Sequence, residues 1–123
     1  MSLLSSRYHE DRPWGSFDRF TQNETSEVKF LTVAPGKRLS LQKHAKRSEF
    51  WKVIAGSGTA TVDGTDRMIG IGDEVEIPLG STHRLGGGPE GITVLEIALG
   101  EFDEDDIIRL EDDFGRIADA AHD

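Results

Sequence analysis

Cysteine is absent from this chain, so disulfide bonds and thiolate metal ligation are both excluded and the redox compartment stays open. Long apolar runs are missing too. Nothing approaches the roughly 20 residues needed to cross a bilayer as a helix, and Met1 to Ser6 is too short for a secretory signal. A soluble, cytoplasmic protein is the expectation. Basic residues are outnumbered 14 to 23, for a net charge of −9, which excludes the cationic stripe that a phosphate backbone requires. Nucleic acid and membrane are therefore not expected partners. The densest acidic stretches, Glu101 to Asp106 and Glu111 to Asp113, read as a solvated face. An anionic ligand would need a local cluster of Arg and Lys.

What the chain has in quantity is glycine, 14 in 123 residues. These residues punctuate short segments of alternating, branched character: 28–33, 59–63, 67–71, 74–78 and 92–98. In the first, Val28, Phe30 and Thr32 share one face and Lys29, Leu31 and Val33 the other. Such spacing predicts an all-β sandwich or barrel of antiparallel strands over about residues 28–99, within one domain spanning 1–123. Phe50 to Ala55 is more continuously apolar and predicts a central strand. Asp63-Gly64 predicts a two-residue hairpin turn, because positive φ is cheap there. Arg12-Pro13-Trp14-Gly15 reads as a turn leading into a strand. Asp105 to Leu110 fits either a helix start or an extended wrap, and a short helix over 116–121 is expected at the end. Trp14 and Trp51 are expected in packing rather than as sugar platforms, and His9 and His122 in solvent.

Two segments carry the chemistry. The first runs G-x5-Q-x-H-x4-E-x6-G from Gly36 through Gln42, His44 and Glu49 to Gly56. The second runs G-x5-P-x-G-x2-H from Gly72 through Pro78 and Gly80 to His83. Together they resemble the paired signature of the cupin family, with Gln42 where the first His of H-x-H usually stands. The fold this implies is a cupin-type double-stranded β-helix, a jelly-roll barrel, with N- and C-terminal extensions. On a strand, Gln42 and His44 project to the same side, and the turn before His83 would deliver a ligand from a separate strand. An amide oxygen, two imidazoles and a carboxylate suit Zn²⁺, Mn²⁺, Fe²⁺, Co²⁺ or Ni²⁺.

The likeness extends further. Arg12-Pro13-Trp14-Gly15-Ser16-Phe17, Pro35 to Gln42, Ile77 to Leu85 and Glu104 to Arg109 resemble the type II mannose-6-phosphate isomerase domain, over about residues 11–116. That domain forms the C-terminal part of bifunctional mannose-1-phosphate guanylyltransferase/mannose-6-phosphate isomerases. The resemblance implies zinc on Gln42, His44, Glu49 and His83, an Arg of the D-D-I-x-R segment (Arg109) at the substrate, and a homodimer. It also implies exchange between mannose 6-phosphate and fructose 6-phosphate. With no nucleotidyltransferase sequence here, guanylyltransferase activity is not expected. The chain departs from the family at Ala45-Lys46 and Phe50, where histidines are common, and at Gly87, where Asn often stands.

For the reaction itself, Arg109 and Lys52 are the expected catalytic groups, and Arg12, Arg38 and Arg109 the expected phosphate contacts. A metal-bound hydroxide is the other candidate base. Two further functions remain open. His44, Glu49 and His83 alone form the two-His, one-carboxylate face of Fe²⁺ oxygen chemistry, which Gln42 as a fourth ligand disfavours. A non-catalytic sugar-binding cupin is the other.

Overall fold

The structure is a computed structural model and describes residues 3–103 and 105–115. The regular structure among these residues is all strand: β1 (Tyr8–Arg12), β2 (Gly15–Arg19), β3 (Ser26–Val33), β4 (Leu41–Lys43), β5 (Arg47–Val62), β6 (Thr65–Gly70), β7 (Glu74–Ile77), β8 (His83–Gly100) and β9 (Ile108–Glu111). The pairings are all antiparallel. No helix among the described residues is long and apolar enough to cross a membrane.

Two long strands organise the barrel. β5 and β8 run alongside each other from Arg47 opposite Gly100 to Val62 opposite His83. The first half of β5 pairs with β7 and the second half with β6. The start of β8 meets β4, and its later part, Ile92 to Leu99, pairs with β3. Each long strand thus passes from one layer of the sandwich to the other, as expected where sheets close at corners through bends and bulges. This is the anticipated jelly roll.

The segmentation differs from the sequence reading. Residues 50–55 and 59–63 belong to one continuous strand, and 92–98 is only the later part of another. The glycines between these runs are corners rather than breaks. The β5–β8 register shifts between Val53 and Ala55 and again between Gly56 and Gly58. A Cβ on Gly56 would lie 2.1 Å from the carbonyl oxygen of Gly91, and one on Gly58 2.0 Å from that of Gly86. Backbones cross there too closely for any side chain.

The hairpin at Asp63-Gly64 forms as expected, with both residues at positive φ, 49° and 80°. The turn at Pro13-Trp14 joins β1 to β2, with Arg12 opposite Gly15. Trp14 is 73% exposed, so it lies outside the core where Trp51 is buried. His9 is exposed as expected, hydrogen-bonded to Asp18 and Asp11. Beyond Gly100 the chain chooses the extended wrap, since β9 pairs with β4. The helix expected over 116–121 and His122 lie outside the described residues.

Inward alternation builds the main core from Val33, Trp51, Val53, Ala60, Ile69, Val75, Ile77, Leu85, Ile92 and Val94. A second cluster forms outside the barrel, where Leu4 and Phe20 cover Phe50 and Ile97. The N-terminal segment is also tied down by Arg7, whose two terminal nitrogens donate to Glu74 at 2.7 Å each. The Arg7 hydrogen bond, helped by Lys52, holds the Glu74 carboxyl down at about 2. A depressed folded pKa gives stability present above the unfolded value, about 4.3, and lost as pH falls through the folded one. Glu74→Gln should therefore lower stability by about 1 kcal/mol near neutrality, the scale of a partly exposed pair. It should also flatten the loss between roughly pH 5 and 2. Urea titrations at several pH values check both.

Candidate metal centre

One end of the barrel gathers polar side chains into an otherwise apolar interior. Gln42 on β4 stands opposite His83, the first residue of β8. His44 follows two residues after Gln42, and Glu49 opens the inward-facing series of β5 that continues with Trp51 and Val53. Gln42, His44, Glu49 and His83 are each at most 3% exposed. They line a small cavity of about 20 Å³ together with Lys29, Leu31, Leu39, Arg47, Trp51 and Glu96. Donor atoms of His44, Glu49 and His83 all fall within 4.8 Å of one another. His83 Nε2 is 3.1 Å from Glu49 Oε1, and His44 Nε2 is 3.8 Å from Glu49 Oε2.

The outer nitrogens of both rings are committed to backbone. His44 Nδ1 donates to the carbonyl of Asp106, and His83 Nδ1 to that of Ser81 at 3.2 Å. Such bonds set the tautomer and turn the Nε2 lone pairs inward, as in metal-binding histidines. His83 Nε2 then faces a carboxylate oxygen lone pair to lone pair, which is repulsive unless a proton or a metal ion lies between. Gln42 Oε1 is buried in the same cavity without a hydrogen-bond donor. A buried carbonyl oxygen left without a partner costs about 1–3 kcal/mol, so a cation at this focus would relieve several deficits together. The donor set fits a divalent ion.

Titration follows the same crowding. Burial opposes protonation of His83, but the hydrogen bond and charge of Glu49 outweigh it and raise its pKa. Burial would raise Glu49, yet His83 and its neighbours hold it down at about 2. For His44 burial dominates and lowers the pKa. Glu96 is pushed up to about 7, by burial first and then by the Glu49 charge.

Of the other expected site residues, Arg109 is 4% exposed on β9, opposite Gln42. Lys52 does not line the cavity. Alternation along β5 sends Trp51 inward and Lys52 to the outer face, where its Nζ meets Glu74 at 3.1 Å. Lys52→Ala should leave turnover by this site within about twofold of wild type, whereas loss of an acid–base group costs about 100-fold or more. Arg38 is tied to Asp113 by two hydrogen bonds of 2.7 and 2.9 Å on the surface. Arg12 pairs with Glu10 and covers the Phe17 ring within the β1–β2 hairpin. Neither lines the cavity.

Four residues that the sequence reading left out do contribute. Arg47 places Nη2 3.2 Å from His44 Nε2 and Nε 3.5 Å from Glu49. Glu96 accepts a hydrogen bond from Trp51 Nε1 at 3.1 Å, and its other oxygen is 3.5 Å from Lys29 Nζ. Trp51, Glu96 and Lys29 form one row across β5, β8 and β3. Asp106 orients His44 through its carbonyl, while its carboxylate caps the backbone of Ala45 and Lys46. Alternation was the available signal, for Glu96 shares a face with Val94 and Lys29 with Leu31.

The chain matches the family model for the C-terminal domain of mannose-6-phosphate isomerase over residues 3–112. It belongs to that family. Mannose-1-phosphate guanylyltransferase ManC of Salmonella typhimurium is 40% identical over 108 residues, covering 86% of this chain and 22% of the relative. The alginate biosynthesis protein AlgA of Pseudomonas aeruginosa is 41% identical over 112 residues, covering 89% and 23%. The chain thus spans less than a quarter of these relatives' length. Among solved structures, a protein of Acidithiobacillus ferrooxidans assigned as a sugar phosphate isomerase matches with a TM-score of 0.56 and 25% identity, covering 62% of this chain and 51% of that one. A cupin-2 domain from Rhodospirillum rubrum matches with a TM-score of 0.60 at 20% identity, covering 84% and 76%, and supports the cupin fold alone.

Proposed function

We propose that this domain is a metal-dependent aldose–ketose isomerase acting on a sugar phosphate, with mannose 6-phosphate and fructose 6-phosphate as the pair. The observation that carries the reading is the convergence of Gln42, His44, Glu49 and His83, with an inward oxygen lacking any donor. These four would hold the ion, zinc first on family grounds. When bound, it supplies Lewis-acid polarisation of a carbonyl.

The chain's own residues do the rest. Glu96 lines the cavity beside Glu49, oriented by the Trp51 indole, and is the carboxylate placed to accept and return the proton that moves between C1 and C2. It replaces Lys52 in that role. Arg47 and Lys29 are the cavity's two lining cations and would hold the anionic end of the substrate, with Arg109 adding positive charge behind Gln42. Arg12 and Arg38 have no part in it. A cytoplasmic setting and a homodimer belong to the same proposal.

Glu96→Gln keeps the Trp51 contact but cannot take a proton, so kcat should fall about 100- to 10,000-fold with KM little changed. Steady-state kinetics check this. The wider test follows the exchange of mannose 6-phosphate and fructose 6-phosphate by NMR on metal-loaded protein. Interconversion lost on chelation supports the proposal; full metal loading without interconversion contradicts it. Tight sugar-phosphate binding without turnover would point instead to a sugar-binding domain, and oxygen uptake with Fe²⁺ to an oxygenase.

A further inference from the structure

Arg47 sits where a metal ion would need to be. The Nδ1 of His44 donates to the Asp106 carbonyl, so its Nε2 carries a lone pair. That lone pair, the one a metal ion would use, accepts from Arg47 Nη2 at 3.2 Å. The same guanidinium sets Nε 3.5 Å from Glu49 Oε2, and that nitrogen is buried without a hydrogen-bond partner. Arg47 thus bridges two of the donor residues, as an ion would, through one contact made and one left loose. A guanidinium keeps its charge at any ordinary pH. It therefore competes with a divalent ion for His44 both by place and by charge.

Room makes the competition matter. The cavity's 20 Å³ holds about one water-sized sphere, enough for an ion but not for an ion and a phosphate together. A sugar phosphate reaches the centre only after a lining side chain moves. Much of the lining is fixed. Trp51 is buried and donates to Glu96, and the backbone of Leu39 is pinned to Leu85 and to the Arg84 side chain. Lys29 turns to Glu27 and Glu96. The Arg47 side chain, 16% exposed, is anchored on His44 and Glu49, the two groups an ion would claim.

We propose that Arg47 is a displaceable counter-cation, on the reading of this site as a metal centre for a sugar phosphate. With a divalent ion on His44 Nε2, the guanidinium loses its anchor, swings outward on its flexible stem and presents its fork to the phosphate. Metal then binds first and creates the anion subsite, so the two ligands bind with positive coupling. Arg47 is the first residue of β5, and rotation of its side chain is the whole of the movement.

Titration calorimetry on the full chain, stripped of metal, tests this first with Co²⁺ alone. Arg47→Met keeps an unbranched stem without the charge. Its Co²⁺ affinity should rise about tenfold or more, the equivalent of the charged hydrogen bond that no longer has to be broken. Arg47→Lys retains a displaceable cation and should stay within about threefold of wild type. Lys46→Met removes the same charge from an exposed neighbour that pairs with Asp103, and should change the affinity less than about twofold. The second titration uses Co²⁺-loaded protein. Wild type should prefer mannose 6-phosphate to mannose by about 100-fold, and Arg47→Met should lose about tenfold of that preference. Co²⁺ binding unchanged or weakened in Arg47→Met overturns the displacement while the metal centre stands. A preference for the phosphate that survives Arg47→Met overturns the anion subsite. Tighter Co²⁺ binding with no mannose 6-phosphate bound by any of these proteins upholds the displacement and overturns the sugar-phosphate reading. A wild type that binds no Co²⁺ overturns both.

Discussion

Alanine in place of His83 should weaken divalent-metal binding roughly 100-fold or more and take isomerase turnover with it. The reason lies in how the site is held. Each histidine has one nitrogen fixed by a backbone carbonyl, which turns the other toward Glu49. Removing His83 takes away the nearest partner of Glu49 Oε1, leaving Arg47 at 3.5 Å and His44 at 3.8 Å on the other oxygen. A buried carboxylate with fewer cationic neighbours takes up a proton more readily, which further lowers its value as a ligand. The effect should reach beyond one lost bond. Equilibrium dialysis with Zn²⁺ or Co²⁺ reads the affinity, and the far-ultraviolet spectrum confirms that the barrel persists. Glu49→Ala should do the same, because its two oxygens lie between the two rings.

Gly58→Val should be the most damaging single change to the fold. The new Cβ would sit 2.0 Å from the carbonyl oxygen of Gly86, which is backbone and cannot swing aside. Either β5 or β8 must shift, and their pairing is what carries the chain between the two layers. A cost of about 3 kcal/mol or more is expected, at the upper end for overpacking, with a fall in Tm of roughly 10 °C. Gly70→Ala is the control. A Cβ there meets nothing within 4 Å, so the change should stay within about 0.5 kcal/mol. Thermal and urea unfolding of both variants give the comparison.

These two positions show what could be read from the chain before any coordinates. The buried cluster of candidate donors was legible because their spacing encodes a local fact, the two-residue strand repeat of Gln42 and His44, together with a punctuation of glycines around Glu49 and His83. The all-β character was legible for the same reason. The continuity of β5 and β8 was not, because Gly56 and Gly58 mark a close crossing of backbones from distant parts of the chain, which looks like a turn when only neighbours are visible. Lys52 is a candidate from the sequence because it follows Glu49 on the same strand, but at three residues' remove it faces the opposite side, where Arg7 and Leu4 of the N-terminal segment lie over the outer face. Arg12 and Arg38 were chosen for their guanidinium chemistry, and their acidic partners Glu10 and Asp113 claim them instead.

Glu96 and Lys29 were hidden by a subtler effect. A charged residue at an inward position reads as a surface residue when the strand is taken alone, although Glu96 alternates in step with Val94 and Lys29 with Leu31. The register makes the placement plain: Trp51, Glu96 and Lys29 occupy one row across three strands.

The most direct measurement is metal content by elemental analysis of protein purified without chelator, then stripped and reloaded, for wild type and for Gln42→Ala, His44→Ala, Glu49→Ala and His83→Ala. The account predicts one divalent ion per wild-type chain, recovered on reloading, and strongly reduced occupancy in every variant while the fold is retained. A wild-type chain that holds no stoichiometric ion after reloading, or variants that keep theirs, would contradict it.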